Sequence, residues 1–165
     1  MPGQTKQLSL DANFVFDLAG EEDFAHDLLE AAQARGYALL LPPTAAHELH
    51  LIFTDGESED ERELARTALT RLKQWGIRPF ELNSTAEAIC EQFVRGLLHQ
   101  SLIPEDEFND GLILAETSLE EIPLLVTSDK HLLDIDEDGL QLAFNAADLS
   151  PVHPVHPKRL LRALR

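Results

Sequence analysis

The sequence predicts an α/β fold built on a mostly parallel sheet. Three observations carry that reading. Short apolar runs of β character alternate with longer stretches whose apolar residues recur at helical spacing, the pattern of successive βαβ units. The chain has 165 residues, 44% of them hydrophobic, which suits one compact domain over residues 1–165 with a substantial core. No repeat, low-complexity linker or internal boundary interrupts it.

The first strand is read at Gln7 to Leu10. Glu21 to Arg35 carries Phe24, Leu28, Leu29 and Ala32 on one helical face, with Gly36 as its C-cap. Ala38 to Leu41 is a second strand, stopped by Pro42-Pro43, and Thr44 is taken as the N-cap of a helix reaching about Phe53. A longer helix, Glu59 to Trp75, presents Leu64, Ala68, Leu72 and Trp75 and ends at Gly76. Arg78 to Leu82 reads as a short strand, and Ser84-Thr85-Ala86-Glu87 as the capping box of a helix bearing Ala88, Ile89, Phe93, Leu97 and Leu98. Pro104, with Glu105, Asp106 and Glu107 behind it, opens a helix to about Leu119. Pro123 to Thr127 is a buried strand, Lys130 to Leu133 a helical turn, Leu140 to Phe144 a last strand and Pro157 to Leu164 a terminal helix.

Composition removes several classes of function. The single cysteine, Cys90, excludes an internal disulfide and a cysteine-based zinc site. No apolar run approaches the roughly 20 residues of a membrane span, and the polar segment Met1 to Gln7 is no signal peptide, so a cytoplasmic protein without a membrane partner is expected. The formal charge of -17 denies the chain a basic face over most of its surface, against the habit of proteins that hold nucleic acid by its phosphates. Acid concentrates in Asp55 to Glu63, read as solvated surface, and from Glu105 to Asp138, where Lys130 is the only basic residue. Base gathers in Lys158, Arg159, Arg162 and Arg165, where it offsets a helix dipole.

Four acids stand apart in sequence, each tied to an apolar run: Asp11 after Leu8-Ser9-Leu10, Glu48 beyond the second strand, Asp110 within Phe108 to Ala115, and Asp129 after Leu124 to Ser128. In a parallel α/β sheet, strand C-termini and the adjoining helix N-termini meet along one edge, where ligands bind. Carboxylates delivered there would suit a hard divalent cation, Mg²⁺ or Mn²⁺, which prefers oxygen ligands. Without one they would repel each other or hold protons at raised pKa. Asn13 is placed to orient a carboxylate or a bound water, and Thr127 and Ser128 set hydroxyls beside Asp129. Each acid alone has an ordinary role: Asp11 and Asp129 can each cap the next turn of chain, and Glu48 can be an exposed helix residue. Asp110 resists that account, because Phe108, Leu112, Ile113 and Ala115 surround it.

These residues resemble a PIN domain, the small nuclease fold of toxin–antitoxin ribonucleases of VapC type. The resemblance rests on Leu8-Ser9-Leu10-Asp11-Ala12-Asn13-Phe14, on Pro43 to Leu49 around Glu48, on Asn109-Asp110-Gly111-Leu112-Ile113-Leu114-Ala115-Glu116, and on Leu125-Val126-Thr127-Ser128-Asp129-Lys130-His131. It implies a three-layer α/β/α arrangement with a twisted, mostly parallel central sheet. It also implies a Mg²⁺ or Mn²⁺ site and hydrolysis of RNA phosphodiester bonds. By that resemblance Asp11, Glu48, Asp110 and Asp129 would be the catalytic and metal-holding acids, supported by Asn13, Thr127 and Ser128. A small antitoxin that inserts into the active-site groove, and a homodimer, are the partners it implies beside RNA. The pattern departs at His131, where related sequences often carry a further acid; Asp134 and Asp136 lie nearby at other spacings.

Other chemistries fare worse. His47-Glu48-Leu49-His50 sets its histidines three apart, not the four that a two-histidine zinc site on one helical face requires. Asp11-Ala12-Asn13 lacks the second aspartate and following threonine of a phosphoryl-aspartate enzyme, and no glycine-rich phosphate loop is present. His153-Pro154-Val155-His156 reads as a rigid connector. Two functions therefore stand: a metal-dependent endoribonuclease, or a catalytically weak fold of this type that binds a basic protein partner through its acidic surface.

Overall fold

A computed structural model describes residues 6–165; the first five, part of the segment read as no signal peptide, lie outside it. The chain runs β1 (Lys6–Leu10), α1 (Ala12–Ala19), α2 (Asp23–Ala34), β2 (Tyr37–Leu41), α3 (Pro43–Asp55), α4 (Glu59–Arg71), β3 (Ile77–Pro79), α5 (Ser84–His99), α6 (Phe108–Leu119), β4 (Leu124–Val126), α7 (Lys130–Leu133), α8 (Glu137–Ala146), β5 (His153–Val155) and α9 (Pro157–Leu164).

The five strands form one sheet in the order β3-β2-β1-β4-β5, and every pairing is parallel. The central strand β1 pairs Leu8 with Leu39 of β2 and Leu10 with Val126 of β4. Leu8, Leu10, Leu39, Leu41, Leu125 and Val126 are all buried, the run of apolar residues that a strand covered on both faces requires. Helices flank the sheet in a three-layer α/β/α arrangement, with α2 against α9, α5 against α6 and α8, and α3 against α1, α4 and α6. Among the described residues no helix is long and apolar enough to cross a membrane.

Several elements differ from the sequence reading, each for a local reason. Helix α1 falls where that reading has none: Asp11 caps it, and Phe14, Val15 and Leu18 bury one face. Thr44 is not the cap of α3, which starts at Pro43; its hydroxyl turns instead to Glu116. The cap of α5 is Asn83, whose Oδ1 accepts from Ala86 N–H at 2.9 Å, so the Ser84 capping box moves back by one position. Pro104 starts only a turn, with Glu107 N–H bonded to its carbonyl at 3.0 Å, and α6 opens at Phe108.

The largest change is at the far edge of the sheet. Leu140 to Phe144 alternates like a strand, yet it lies inside α8, which buries Leu140, Ala143 and Phe144 and leaves Leu142 exposed. Asp136 caps that helix through Gly139 N–H at 2.9 Å. The fifth strand is instead His153–Val155, the supposed connector. Proline is tolerated in it because β5 is an edge strand, where a missing N–H can face away from the ladder. Gly111 also gains a reason: a Cβ there would meet Val94 Cγ1 at 2.8 Å, so glycine lets α6 lie close against α5.

Candidate metal centre

The site forms where β1 and β4 end. Asp11 follows β1 directly, and its N–H bonds to Val126 O at 2.9 Å, continuing the ladder. Its carboxylate is buried and hydrogen-bonded through both oxygens. Oδ1 accepts from Ala12 N–H at 2.7 Å as the cap of α1, and Oδ2 accepts from Thr127 Oγ1 at 2.7 Å and Asn13 Nδ2 at 3.4 Å. Thr127 is the hub of this network. While donating to Asp11, its oxygen accepts from Asp129 N–H at 3.0 Å and from Asn13 Nδ2 at 3.3 Å. Asn13 Oδ1 in turn accepts from Ser128 N–H at 3.3 Å, so Ser128 takes part through its backbone rather than its hydroxyl.

Asp129 ends this segment as the cap of α7, accepting from His131 N–H at 2.8 Å. The capping roles anticipated for Asp11 and Asp129 therefore exist, and they coexist with a shared cavity. That cavity, of about 390 Å³, is lined by Asp11, Asn13, Glu48, Asp110 and Asp129, together with Phe16, Ile52, Asp17 and Glu61. Glu48 reaches it from α3 and Asp110 from the first turn of α6. All four acids singled out in the sequence thus converge on one place. A larger hollow, about 710 Å³, lies beside β5 and α8, but its acids Glu137 and Asp138 are exposed, and Glu137 Oε1 is taken by His153 Nδ1 at 3.1 Å.

Three further acids join the carboxylate group that the sequence does not single out. Oxygens of Glu107, Asp110 and Asp129 lie within 4.8 Å of one another, the spacing of ligands around one ion. Glu107 precedes α6, and its pairing with Asp110 one turn on becomes visible only once the helix start is placed at Phe108. Asp17 is hidden in the sequence because α1, which sets it one turn after Asn13, is not legible there. Glu61 belongs to the acidic run read as solvated surface. His131 Nε2 stands 3.4 Å from Glu107 Oε1, so His131 lies against the group.

The electrostatics are those of crowded carboxylates. Burial, opposed by bonds from Thr127 and Ala12, lifts the Asp11 pKa to about 6. Burial, then repulsion from Asp11 and Asp129, lifts Glu48 to about 7. Asp110 is raised as well, by burial first and then by Asp129 and Glu107 close beside it. Its Oδ2 is buried with no hydrogen-bond donor among the described residues. A proton, a water or a cation must satisfy that oxygen, and a cation would also relieve the repulsion among the crowded carboxylates. The donors are all hard oxygens, which fit Mg²⁺ or Mn²⁺ rather than a softer ion.

No family model matches the chain, and no curated protein matches it. Solved structures do. A chain of the VapBC2 complex from Rickettsia felis bound to a promoter DNA fragment superposes with a TM-score of 0.63 at 14% identity, covering 91% of this chain and 98% of that one. This chain has the PIN-like fold. FitAcB from Neisseria gonorrhoeae is similar with a TM-score of 0.54 at 19% identity, over 91% of this chain and 97% of that one. FitAB bound to the IR36 DNA fragment gives 0.56 at 17%, over 92% and 95%. The similarity in fold extends over nearly the whole of each chain.

Proposed function

We propose that this chain is a metal-dependent endoribonuclease that uses Mg²⁺ or Mn²⁺, and that it is the toxin of a toxin–antitoxin pair. The observation that carries the chemistry is the buried, donorless Asp110 Oδ2 beside Asp129, Glu107, Asp11 and Glu48. Asp11, Glu48, Asp110 and Asp129 would hold the cation, with Asn13 and Thr127 fixing the carboxylates and the Ser128 amide fixing Asn13. When bound, a divalent cation lowers the pKa of water and neutralises charge building on phosphoryl oxygens. The chain's own part is orientation. Thr127 and Ala12 hold Asp11 at one angle, and the caps of α1 and α7 fix Asp11 and Asp129 to strand ends that cannot shift independently.

The fold neighbours are complexes of VapBC and FitAB type, which supports an antitoxin protein as partner. A homodimer and a cytoplasmic location complete the reading. Purified Asp11→Asn and Asp110→Asn variants should keep the fold and lose Mn²⁺-dependent RNA cleavage. Undiminished cleavage by both would refute the proposal.

A second reading has one observation in its favour. His131 Nε2 lies 3.4 Å from Glu107 Oε1, so a ring nitrogen already partners one carboxylate of the group without a metal. On that reading the fold is an interaction module for a basic partner, and millimolar Mn²⁺ fails to bind.

A further inference from the structure

Glu116 lies outside the carboxylate cavity, yet it is among the most buried charged side chains, 6% exposed. Both its oxygens are taken by one residue of another helix. Thr44 donates its N–H to Oε1 at 3.0 Å and its hydroxyl to Oε2 at 2.6 Å. The first turn of α3 needs such an acceptor. Its cap is Pro42, which offers no side-chain bond, and Pro43 has no N–H, so Thr44 carries one of the first free donors of the helix. A carboxylate there also faces the positive end of the α3 dipole.

We propose that the Thr44–Glu116 pair is a positioning clamp that sets where Glu48 stands relative to Asp110. Its effect on catalysis rests on the nuclease reading; its effect on α3 does not. Thr44 and Glu48 lie one helical turn apart on the same face of α3. Asp110 and Glu116 lie at opposite ends of α6. The two helices therefore meet in opposite senses, with the clamp at one end of the contact and the cavity at the other. α6 is held independently: Thr117 and Ser9 share a hydroxyl bond of 2.8 Å, and Ser118 Oγ donates to Ser150 O at 2.6 Å. Ser9 belongs to β1, the strand that ends at Asp11, so α6 and Asp11 form one frame. Cutting the clamp leaves that frame intact and frees the first turn of α3, one turn before Glu48.

Apolar contact would hold the two helices together at a lower desolvation cost than a buried carboxylate. What the doubly bonded carboxylate adds is a fixed length and direction.

The test compares Thr44→Val, which is isosteric but cannot donate from its side chain, with Thr44→Ser, which can. Glu116→Ala removes both acceptors, and Glu116→Gln keeps an acceptor for the N–H and a polar partner for the hydroxyl. Mn²⁺ affinity is measured by titration of the free-ion EPR signal, and hydrogen exchange is followed over residues 43–48. Thr44→Val and Glu116→Ala should weaken Mn²⁺ binding about tenfold, as loss of a group that orients a ligand does, and speed exchange in that segment. Thr44→Ser and Glu116→Gln should stay within about twofold of the wild type on both readouts. A double variant, Thr44→Val with Glu116→Ala, should cost no more than Glu116→Ala alone, because both changes cut the same contact.

Variants that melt earlier but bind Mn²⁺ with wild-type affinity and exchange residues 43–48 at the wild-type rate overturn the clamp. If Glu116→Ala does not fold, Thr44→Val against Thr44→Ser decides alone. If the wild type binds no Mn²⁺, the nuclease reading fails, and exchange over residues 43–48 still decides the clamp: faster in Thr44→Val than in Thr44→Ser sustains it, equal rates overturn it.

Discussion

Thr127 Oγ1 donates a 2.7 Å hydrogen bond to Asp11 Oδ2, joining the ends of two adjacent strands across 116 positions of sequence. The same hydroxyl accepts from the Asp129 amide, so one oxygen aligns two carboxyl-bearing segments. Thr127→Val should therefore weaken Mn²⁺ binding about tenfold, and Thr127→Ser should restore it. Calorimetric titration checks this, and equal affinities for the Val and Ser variants would contradict it.

Stability without the cation should fall as pH rises. Asp11 binds its proton more tightly folded, at about 6, than unfolded, at 3.8, and Glu48 and Asp110 shift the same way. The folded state thus holds more protons between those values, and stability present near pH ~4 is lost as pH climbs through the folded values. For Asp11 the loss is at most about 3 kcal/mol, roughly two pKa units at ~1.4 kcal/mol each. Melting of the cation-free protein at about pH 5 and about pH 8 should show the fall, and Asp11→Asn should reduce it. An unchanged slope in that variant argues against the assignment.

Glu107 completes the group with Asp110 and Asp129. Glu107→Gln should lower Mn²⁺ affinity on the order of tenfold while leaving the melting temperature nearly unchanged, since the side chain is only half-buried. A variant with wild-type affinity removes Glu107 from the site.

Gly111 tests packing rather than chemistry. Alanine should gain about 1 kcal/mol of helix propensity. Its Cβ would also press on Val94 at 2.8 Å and Ile103 at 3.0 Å, at a cost of about 1–3 kcal/mol. Chemical denaturation of Gly111→Ala should show a net loss; a gain would mean that α5 yields freely.

The parallel sheet and the convergence of the acids were legible in the sequence because strands covered on both faces leave apolar runs, and the acids stand at or near the ends of those runs. Leu124 to Val126 followed by Asp129 is the plainest case. The β5 edge was not legible. The alternation of Leu140-Gln141-Leu142-Ala143-Phe144 imitates a strand, and His153-Pro154-Val155 hides one behind a proline that only an edge tolerates. The place of Glu107 and Asp17 in the site has no signal in the sequence, because each depends on a helix boundary, the start of α6 and the existence of α1. Glu116 reads in sequence as one more acid on a helix; its bond to Thr44 crosses 72 positions and has no local signature.

The most direct measurement is anomalous scattering from crystals soaked in Mn²⁺. The account predicts a peak in the cavity between Asp11, Asp110 and Asp129, within reach of the buried Asp110 Oδ2, and loss of that peak in Asp110→Asn. Manganese absent from this cavity in wild-type crystals at millimolar concentration, or a peak that survives in Asp110→Asn, would contradict it.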